Sequence, residues 1–191
     1  MRFLAYYYNL AFQEGRSVAV CYKQDALPFG SGIVEMERGG YSGVQSFPWQ
    51  MDTAIARNSW CYTRDLVYKT SKELLQNLID VVAKNGNLLL NIGPKADGTI
   101  PKRDQQILRE MGDWLAVNGE AIYGSRPWRV ATEGSSQQAW GAFSDGEAPN
   151  YTSQDIRYTF RDGFLYALQL DPSSEEETVL LTSLAYNLTE P

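Results

Sequence analysis

Two glutamates separated by one residue are the side chains of this sequence best suited to acid–base chemistry. Glu35 and Glu37 flank Met36. In an extended segment residues two apart face the same side, so both carboxylates can face one cleft. Mutual repulsion would raise the pKa of one of them, which is what a general acid needs near neutral pH. The alternative is a solvated cluster of charges on a loop.

We expect carboxylates to perform the acid–base chemistry because the 191 residues include no histidine. Histidine is the commonest general base and metal ligand, and the two cysteines cannot complete a zinc site. We therefore expect no metal and no other cofactor. Asp52 is a third candidate catalytic carboxylate, with a turn or a helix cap as its alternative role.

The charge balance excludes some classes of partner. A net charge of −6 disfavours nucleic acid, whose phosphates require a basic face, and also disfavours an anionic membrane. No run approaches the ~20 apolar residues that span a bilayer. The first residues lack the small-residue cleavage site of a signal peptide. As encoded, the sequence therefore predicts a cytoplasmic protein, unless an export signal lies upstream.

Hydrophobic periodicity predicts helices that alternate with strands, which is typical of parallel β/α units and an α/β fold class. Residues 23–48 are glycine-rich and are predicted to be mostly loop. The apolar run 87–93 is predicted to be a strand buried on both faces. The two cysteines, Cys21 and Cys61, are predicted to be buried thiols. Helices are expected at 3–14, 70–85 and 100–118, and strands at 17–22, 59–62 and 87–93.

The character of the sequence changes after Trp128. Residues 156–160 alternate between polar and apolar types, Asp162 and Gly163 form a hairpin turn signal, and residues 164–170 supply the returning strand. Residues 178–184 are a candidate third strand. The C-terminal part is therefore expected to be a small antiparallel element packed against the end of the α/β part.

A long motif resembles the signature of glycoside hydrolase family 29, the retaining α-L-fucosidases. It is the run 85–100, which reads NGNLLLNIGPKADGTI. Shorter matches to the same family lie in the same order at 49–52, 59–62, 112–115 and 118–124. The resemblance extends from residue 3 to about residue 130.

The resemblance implies a (β/α)8-like barrel followed by a β-sandwich, and an enzyme that removes terminal α-L-fucose with retention of configuration. In such chemistry one carboxylate attacks the anomeric carbon, and a second protonates the leaving oxygen and later activates water. Residues 1–128 would form a partial, half TIM-like barrel, and residues 129–191 a truncated β-sandwich-like module. Because barrel sites lie at the C-terminal ends of the strands, the loops that follow them are expected to carry the chemistry.

The resemblance also suggests roles for individual residues. The acid/base glutamate of the family is expected in the loop region that holds Glu37, which is our first choice, with Glu35 and Asp52 as further catalytic candidates. Aromatic rings pack against the apolar face of a pyranose and amides bind its hydroxyls, although core packing is the alternative for each tryptophan. The candidate fucose-binding residues are Trp49, Gln50, Trp60 and Tyr62.

The sequence departs from the family pattern upstream of Phe3, where the family has its nucleophilic aspartate and its fucose-binding histidines. Three hypotheses follow: a working fucosidase that uses carboxylates of this chain or its oligomer, an inactive fragment that still binds fucose, and one half of a split fucosidase. Half a barrel leaves sheet edges and apolar surface uncovered, so we expect a homo-oligomer that acts on fucosylated carbohydrate. Members of this family are often secreted or periplasmic.

Overall fold

The computed structural model describes residues 2–23, 25–139, 141–146, 149–172 and 178–185, and these residues form two sheets. The strands are β1 (Cys21–Lys23), β2 (Ile33–Glu37), β3 (Trp49–Ala54), β4 (Gly86–Asn91), β5 (Arg126–Glu133), β6 (Ile156–Arg161) and β7 (Phe164–Gln169). The helices are α1 (Arg2–Gln13), α2 (Ser71–Ala83) and α3 (Lys102–Asn118), with 3-10 turns at Gly119–Ala121 and Thr182–Leu184. The first sheet is parallel in the order β1-β2-β3-β4, and the second is antiparallel in the order β5-β6-β7.

Helix α2 connects β3 to β4 and begins as the sequence predicts. The Thr70 side chain accepts a hydrogen bond from the Glu73 N–H, and the Glu73 carboxylate accepts one from the Thr70 N–H at 2.7 Å. This reciprocal cap satisfies two backbone donors that the first turn leaves free. The chain then turns back at Asn85, with φ at 71°, into Gly86. A Cβ at Gly86 would lie 2.6 Å from the Trp49 ring, so only glycine fits there.

One face of the parallel sheet packs against the helices and forms the core. Trp49 and Met51 of β3 pack with Val81 of α2, and a second cluster joins α2 to α3. The prediction that the strand at 87–93 is buried on both faces is wrong, because Leu89 is 53% exposed. Strand β4 alternates between a helix-facing side and an open side, so it is covered on one face only.

Two predicted features of the parallel part differ from the structure. Residues 59–62 form a loop rather than a strand, because the side chains of Ser59 and the neighbouring Asn58 bond the local backbone instead of a ladder. The two central strands come instead from 33–37 and 49–54, which pair with each other in parallel. Both cysteines are exposed, so the prediction of buried thiols is also wrong.

The antiparallel sheet contains the predicted hairpin. Asp162 and Gly163 join β6 to β7 with φ values of 49° and 87°, the positive values that a tight hairpin turn requires. The third strand is β5 rather than 178–184, which contains the 3-10 turn Thr182–Leu184. The N–H groups of Thr182 and Ser183 donate to the carboxylate of Glu133, so this segment does not join the ladder.

Helix α2 also packs against the antiparallel sheet through a buried ion network. Asp80 of α2 pairs with Lys84 one turn later and with Arg157 of β6, both at 2.6 Å. All three side chains are at most 3% exposed. One carboxylate therefore pairs with two buried basic side chains and links the helix to the second sheet. Within the described ranges, no helix is both long enough and apolar enough to cross a membrane.

Candidate active site

The open face of the parallel sheet carries a row of polar side chains set by the strand register. Lys23 lies opposite Glu35, and Glu35 lies opposite Gln50. Two residues further toward the C-terminal ends of the strands, Glu37 lies opposite Asp52. Since side chains alternate along a strand, residues two apart share a face, and all five side chains belong to the face opposite the helices.

Lys23 is the charge around which the carboxylates gather. Its ammonium lies 2.8 Å from the Glu37 carboxylate, 3.2 Å from Asp52 and 3.9 Å from Glu35. Burial works against the charge of Lys23, but the hydrogen bonds to Glu37 and Asp52 outweigh it, and the pKa of Lys23 is raised. One lysine cannot neutralise three carboxylates, so the cluster favours a proton on one of them.

Among these carboxyl groups, Glu35 is the one whose surroundings favour the protonated form. Burial, together with a hydrogen bond to Asp52 and the charge of Asp52, raises the pKa of Glu35, and this outweighs the opposing effects of Lys23 and Gln50. The Asp52 Oδ1 atom is buried, and within the described part of the chain it has no hydrogen-bond donor when both carboxylates are ionised. A proton on Glu35 would give Asp52 a hydrogen-bond donor, which would reduce the penalty of an unsatisfied buried acceptor.

This arrangement predicts a specific dependence of stability on pH. The pKa of Glu35 is raised above 4.5, the ordinary value of a glutamate, so the folded state binds this proton more tightly than the unfolded state. The stabilisation is complete below pH 4.5 and is lost as the pH rises through the folded pKa. Glu35→Gln keeps an amide donor at every pH, and we expect it to be about 1 kcal/mol more stable than the wild type at pH 7.5.

Urea unfolding at pH 4.5 and pH 7.5 measures this effect. The variant should show a smaller decrease in the free energy of unfolding between the two pH values than the wild type. Glu14→Gln, on the exposed end after α1, is the matched control and should leave the pH dependence unchanged. Parallel pH profiles for the Glu35 variant and the wild type would contradict the shared proton.

Trp60 and Tyr62 lie in the loop that follows β3, at the C-terminal end of the parallel sheet. The guanidinium of Arg38, which follows β2, stacks on the Trp60 ring at 4.3 Å. The Asn91 side chain at the end of β4 donates to the Trp60 carbonyl at 2.7 Å. The same end of the sheet carries Glu37, so loop and carboxylates border one region. Tyr62 is 39% exposed there.

Of the four predicted sugar-binding residues, Trp49 does not reach this face. It is completely buried on the helix side of the sheet, and its indole N–H donates to the Lys84 carbonyl at 3.0 Å. Trp49 and Gln50 are adjacent in one strand, so they must point to opposite faces. Gln50 points to the polar face, where the Cys21 thiol lies 3.7 Å from its amide oxygen. Trp49 is therefore a core residue.

Sequence reasoning missed three further members of the site. Lys23 lies one residue beyond the strand predicted at 17–22, and extending that strand by one residue would have brought it in. Arg38 follows Glu37 directly in the sequence, and no local pattern signals its contact with Trp60. Asp145 comes from the distant C-terminal part and binds Thr53 of β3, and no local pattern signals that contact.

A cavity of 440 Å³ adjoins the carboxylates. Larger cavities lie elsewhere, one of 600 Å³ beside α1 and one of 570 Å³ near the start of α2. Among the described residues, no group of three or more histidine, cysteine, aspartate or glutamate side chains is placed to hold a metal ion. Three carboxylates converge on one lysine of the parallel sheet, which makes this face the candidate acid–base site.

Comparison with known proteins gives the family. Residues 3–120 match the family model for alpha-L-fucosidase, and the chain belongs to the α-L-fucosidase family. The tissue alpha-L-fucosidase of Mus musculus is 43% identical over 114 residues, which cover 53% of this chain and 25% of that protein. The alpha-L-fucosidase of Branchiostoma floridae is 33% identical over 164 residues, which cover 79% of this chain and 32% of that protein.

Solved structures agree with this assignment. The crystal structure of Thermotoga maritima alpha-fucosidase superposes with a TM-score of 0.65 at 26% identity, covering 86% of this chain and 34% of that one. A second alpha-L-fucosidase structure gives a TM-score of 0.68 at 28% identity, covering 88% and 34%. The chain thus spans about a quarter to a third of the length of the relatives described.

Proposed function

We propose that this chain is an α-L-fucosidase-type glycoside hydrolase that removes terminal α-L-fucose from glycans or glycosides with retention of configuration. The observation that carries the proposal is the gathering of Glu35, Glu37 and Asp52 around Lys23 on the polar face of the sheet, in a member of the α-L-fucosidase family. Glycoside hydrolysis needs a pair of carboxyl groups, and this face provides three.

Glu37 is proposed as the acid/base residue. It is the last residue of β2, and its side chain is 23% exposed, compared with 12% for Glu35. A general acid must reach the leaving oxygen, so the more exposed carboxyl group at the strand end is better placed. The deeper Glu35 is proposed to hold a proton that it shares with Asp52.

Asp52 is proposed as the second carboxylate of the catalytic pair. It lies directly opposite Glu37 on the neighbouring strand, where the strand spacing is about 4.8 Å. Retaining glycosidases hold their two carboxyl groups about 5 Å apart. In the first step an Asp52 oxygen would form a bond to the anomeric carbon while the bond from that carbon to the leaving oxygen breaks. Glu37 would give its proton to the leaving oxygen.

The fucose is proposed to lie between the carboxylates and the loop after β3. Gln50 would bind hydroxyl groups, and the rings of Trp60 and Tyr62 would cover the apolar side of the sugar. The stacked Arg38 guanidinium holds Trp60 at this end of the sheet, which supports a fixed aromatic wall.

The parallel sheet is proposed to be part of a (β/α) barrel, followed by a β-sandwich-like module, with the division near residue 128. The antiparallel sheet begins with β5 at Arg126, and this change from parallel to antiparallel strands supports a division in this region. A homo-oligomer is proposed to cover the open half barrel. The exposed rings of Phe3 and Phe12 in α1, at 69% and 86%, are further apolar surface that such an assembly can cover. Light scattering at micromolar concentration measures this, and a monomer would contradict it.

Hydrolysis of 4-nitrophenyl α-L-fucoside by the purified chain tests the proposed activity. We expect release of 4-nitrophenol, with 4-nitrophenyl β-D-galactoside left intact as the control substrate. Proton NMR of the first product should show the α-anomer of fucose, as retention requires. Fucose binding without hydrolysis would instead make the chain a sugar-binding remnant or one half of a split fucosidase, and would overturn the hydrolytic role.

A further inference from the structure

A short segment of the C-terminal part lies against the end of β2, beside the carboxylates. Three N–H groups of residues 141–146, those of Gly141, Phe143 and Asp145, donate to carbonyl oxygens within residues 37–40 at distances of 2.7 to 2.9 Å. These bonds continue the edge of β2 beyond the short strand β1. The segment therefore forms a wall at the C-terminal end of the parallel sheet.

The wall is anchored by a buried polar network. Asp145 is 6% exposed and accepts hydrogen bonds from the Thr53 hydroxyl, at 2.6 Å, and from the Lys69 ammonium. Lys69 is 1% exposed, and Arg38 lies 4.0 Å from the same carboxylate. Buried charges that are paired and hydrogen-bonded hold a fixed geometry, so the position of the segment relative to β3 is set.

Residues 141–146 contain one aromatic side chain, that of Phe143. It is 65% exposed, and its backbone has φ at 59°, a conformation that bulky residues rarely adopt. Such conformations persist where the surroundings hold them, and they concentrate at ligand sites. Phe143 lines the 440 Å³ cavity together with Lys23, Glu35 and Glu37.

We propose that Phe143 is the contact for the leaving part of the substrate, and that it selects leaving groups with a flat apolar face. This inference rests on the proposed function. The acid that protonates the leaving oxygen must touch the leaving group. The backbone N–H of Phe143 donates to the main-chain carbonyl of Glu37, and both residues line the same cavity. A group leaving beside Glu37 therefore lies beside the Phe143 ring, where an aryl ring or the apolar side of a second sugar stacks on it.

Comparison of two substrates tests this contact. Phe143→Ala is expected to lower kcat/KM for 4-nitrophenyl α-L-fucoside about tenfold. The value of kcat/KM for methyl α-L-fucoside should change by less than about twofold, since the methyl group offers no ring to stack. Phe143→Trp should restore the nitrophenyl value. The matched control is Phe164→Ala at the start of β7, which is also 65% exposed and should change neither substrate.

The outcomes separate this inference from the proposed function. Equal losses for both substrates, or no loss for either, would overturn the role of Phe143 while leaving the hydrolytic site in place. If the wild type binds but does not hydrolyse, dissociation constants for the two fucosides replace kcat/KM, and the same selective weakening is expected. A wild type that binds neither fucoside would overturn the proposed function and the inference together. An unchanged melting temperature for Phe143→Ala shows that folding is intact.

Discussion

Replacement of Glu37 by glutamine is expected to lower kcat/KM for methyl α-L-fucoside by about 10³-fold, because the amide cannot give a proton to the leaving oxygen. General acid catalysis contributes most when the leaving group is a poor one. Nitrophenolate leaves readily without a proton. The decrease in kcat/KM for 4-nitrophenyl α-L-fucoside should therefore be smaller, as far as the first step determines it. This difference between leaving groups is the signature of an acid/base residue, and a merely structural glutamate would not produce it.

Steady-state kinetics with both substrates measures the effect, beside two further variants. Asp52→Asn should abolish hydrolysis of both fucosides, since the second carboxylate is needed whatever the leaving group. Glu110→Gln on α3, whose carboxylate is exposed and bonds Ser71 and Gln106, should leave both rates unchanged. Equal losses on the two substrates for Glu37→Gln would remove this residue from the acid/base role.

Replacement of Asp80 by asparagine is expected to reduce the free energy of unfolding by about 3–5 kcal/mol, the cost typical of breaking a buried ion pair. Asp80 pairs with Lys84 and Arg157, and none of the three side chains is more than 3% exposed. Asparagine has nearly the same volume, so the loss comes from two buried cations without their counter-charge rather than from a cavity. Since domains are stable by about 5–15 kcal/mol, much of the margin would disappear.

Urea unfolding followed by circular dichroism measures this loss against a matched surface pair. Lys72 and Asp171 also lie 2.6 Å apart, but their side chains are 58% and 35% exposed. Asp171→Asn should therefore cost no more than about 1 kcal/mol. If the two variants lost the same amount, the Asp80 network would not be what joins α2 to the antiparallel sheet.

Local features of the fold could be predicted from the sequence. The capping box at Thr70 and the hairpin turn at Asp162 each depend on residues within a few positions, and both are present. The central strands β2 and β3 could not be found in this way. Their hydrogen-bond partners are other strands of a parallel sheet, and the glycine-rich composition around them favours loops.

In the candidate site, too, some features follow from the local sequence and others depend on distant contacts. The spacing of Glu35 and Glu37 places both on one face, and Lys23 contacts both. The same rule shows why Trp49 and Gln50 cannot both face the sugar, because they are neighbours in one strand. Asp145 lies 92 positions from Thr53, and Phe143 lies more than 100 positions from Glu37, so only the folded chain brings them to the site.

A crystal structure of the chain soaked with L-fucose tests the central claim most directly, because it shows where the sugar lies. We predict the anomeric oxygen within hydrogen-bond distance of the Glu37 carboxylate, with Lys23 and Asp52 on the same side and the Trp60 ring nearby. Fucose bound only in the cavity beside α1, or near the start of α2, would contradict the assignment of the polar sheet face as the active site.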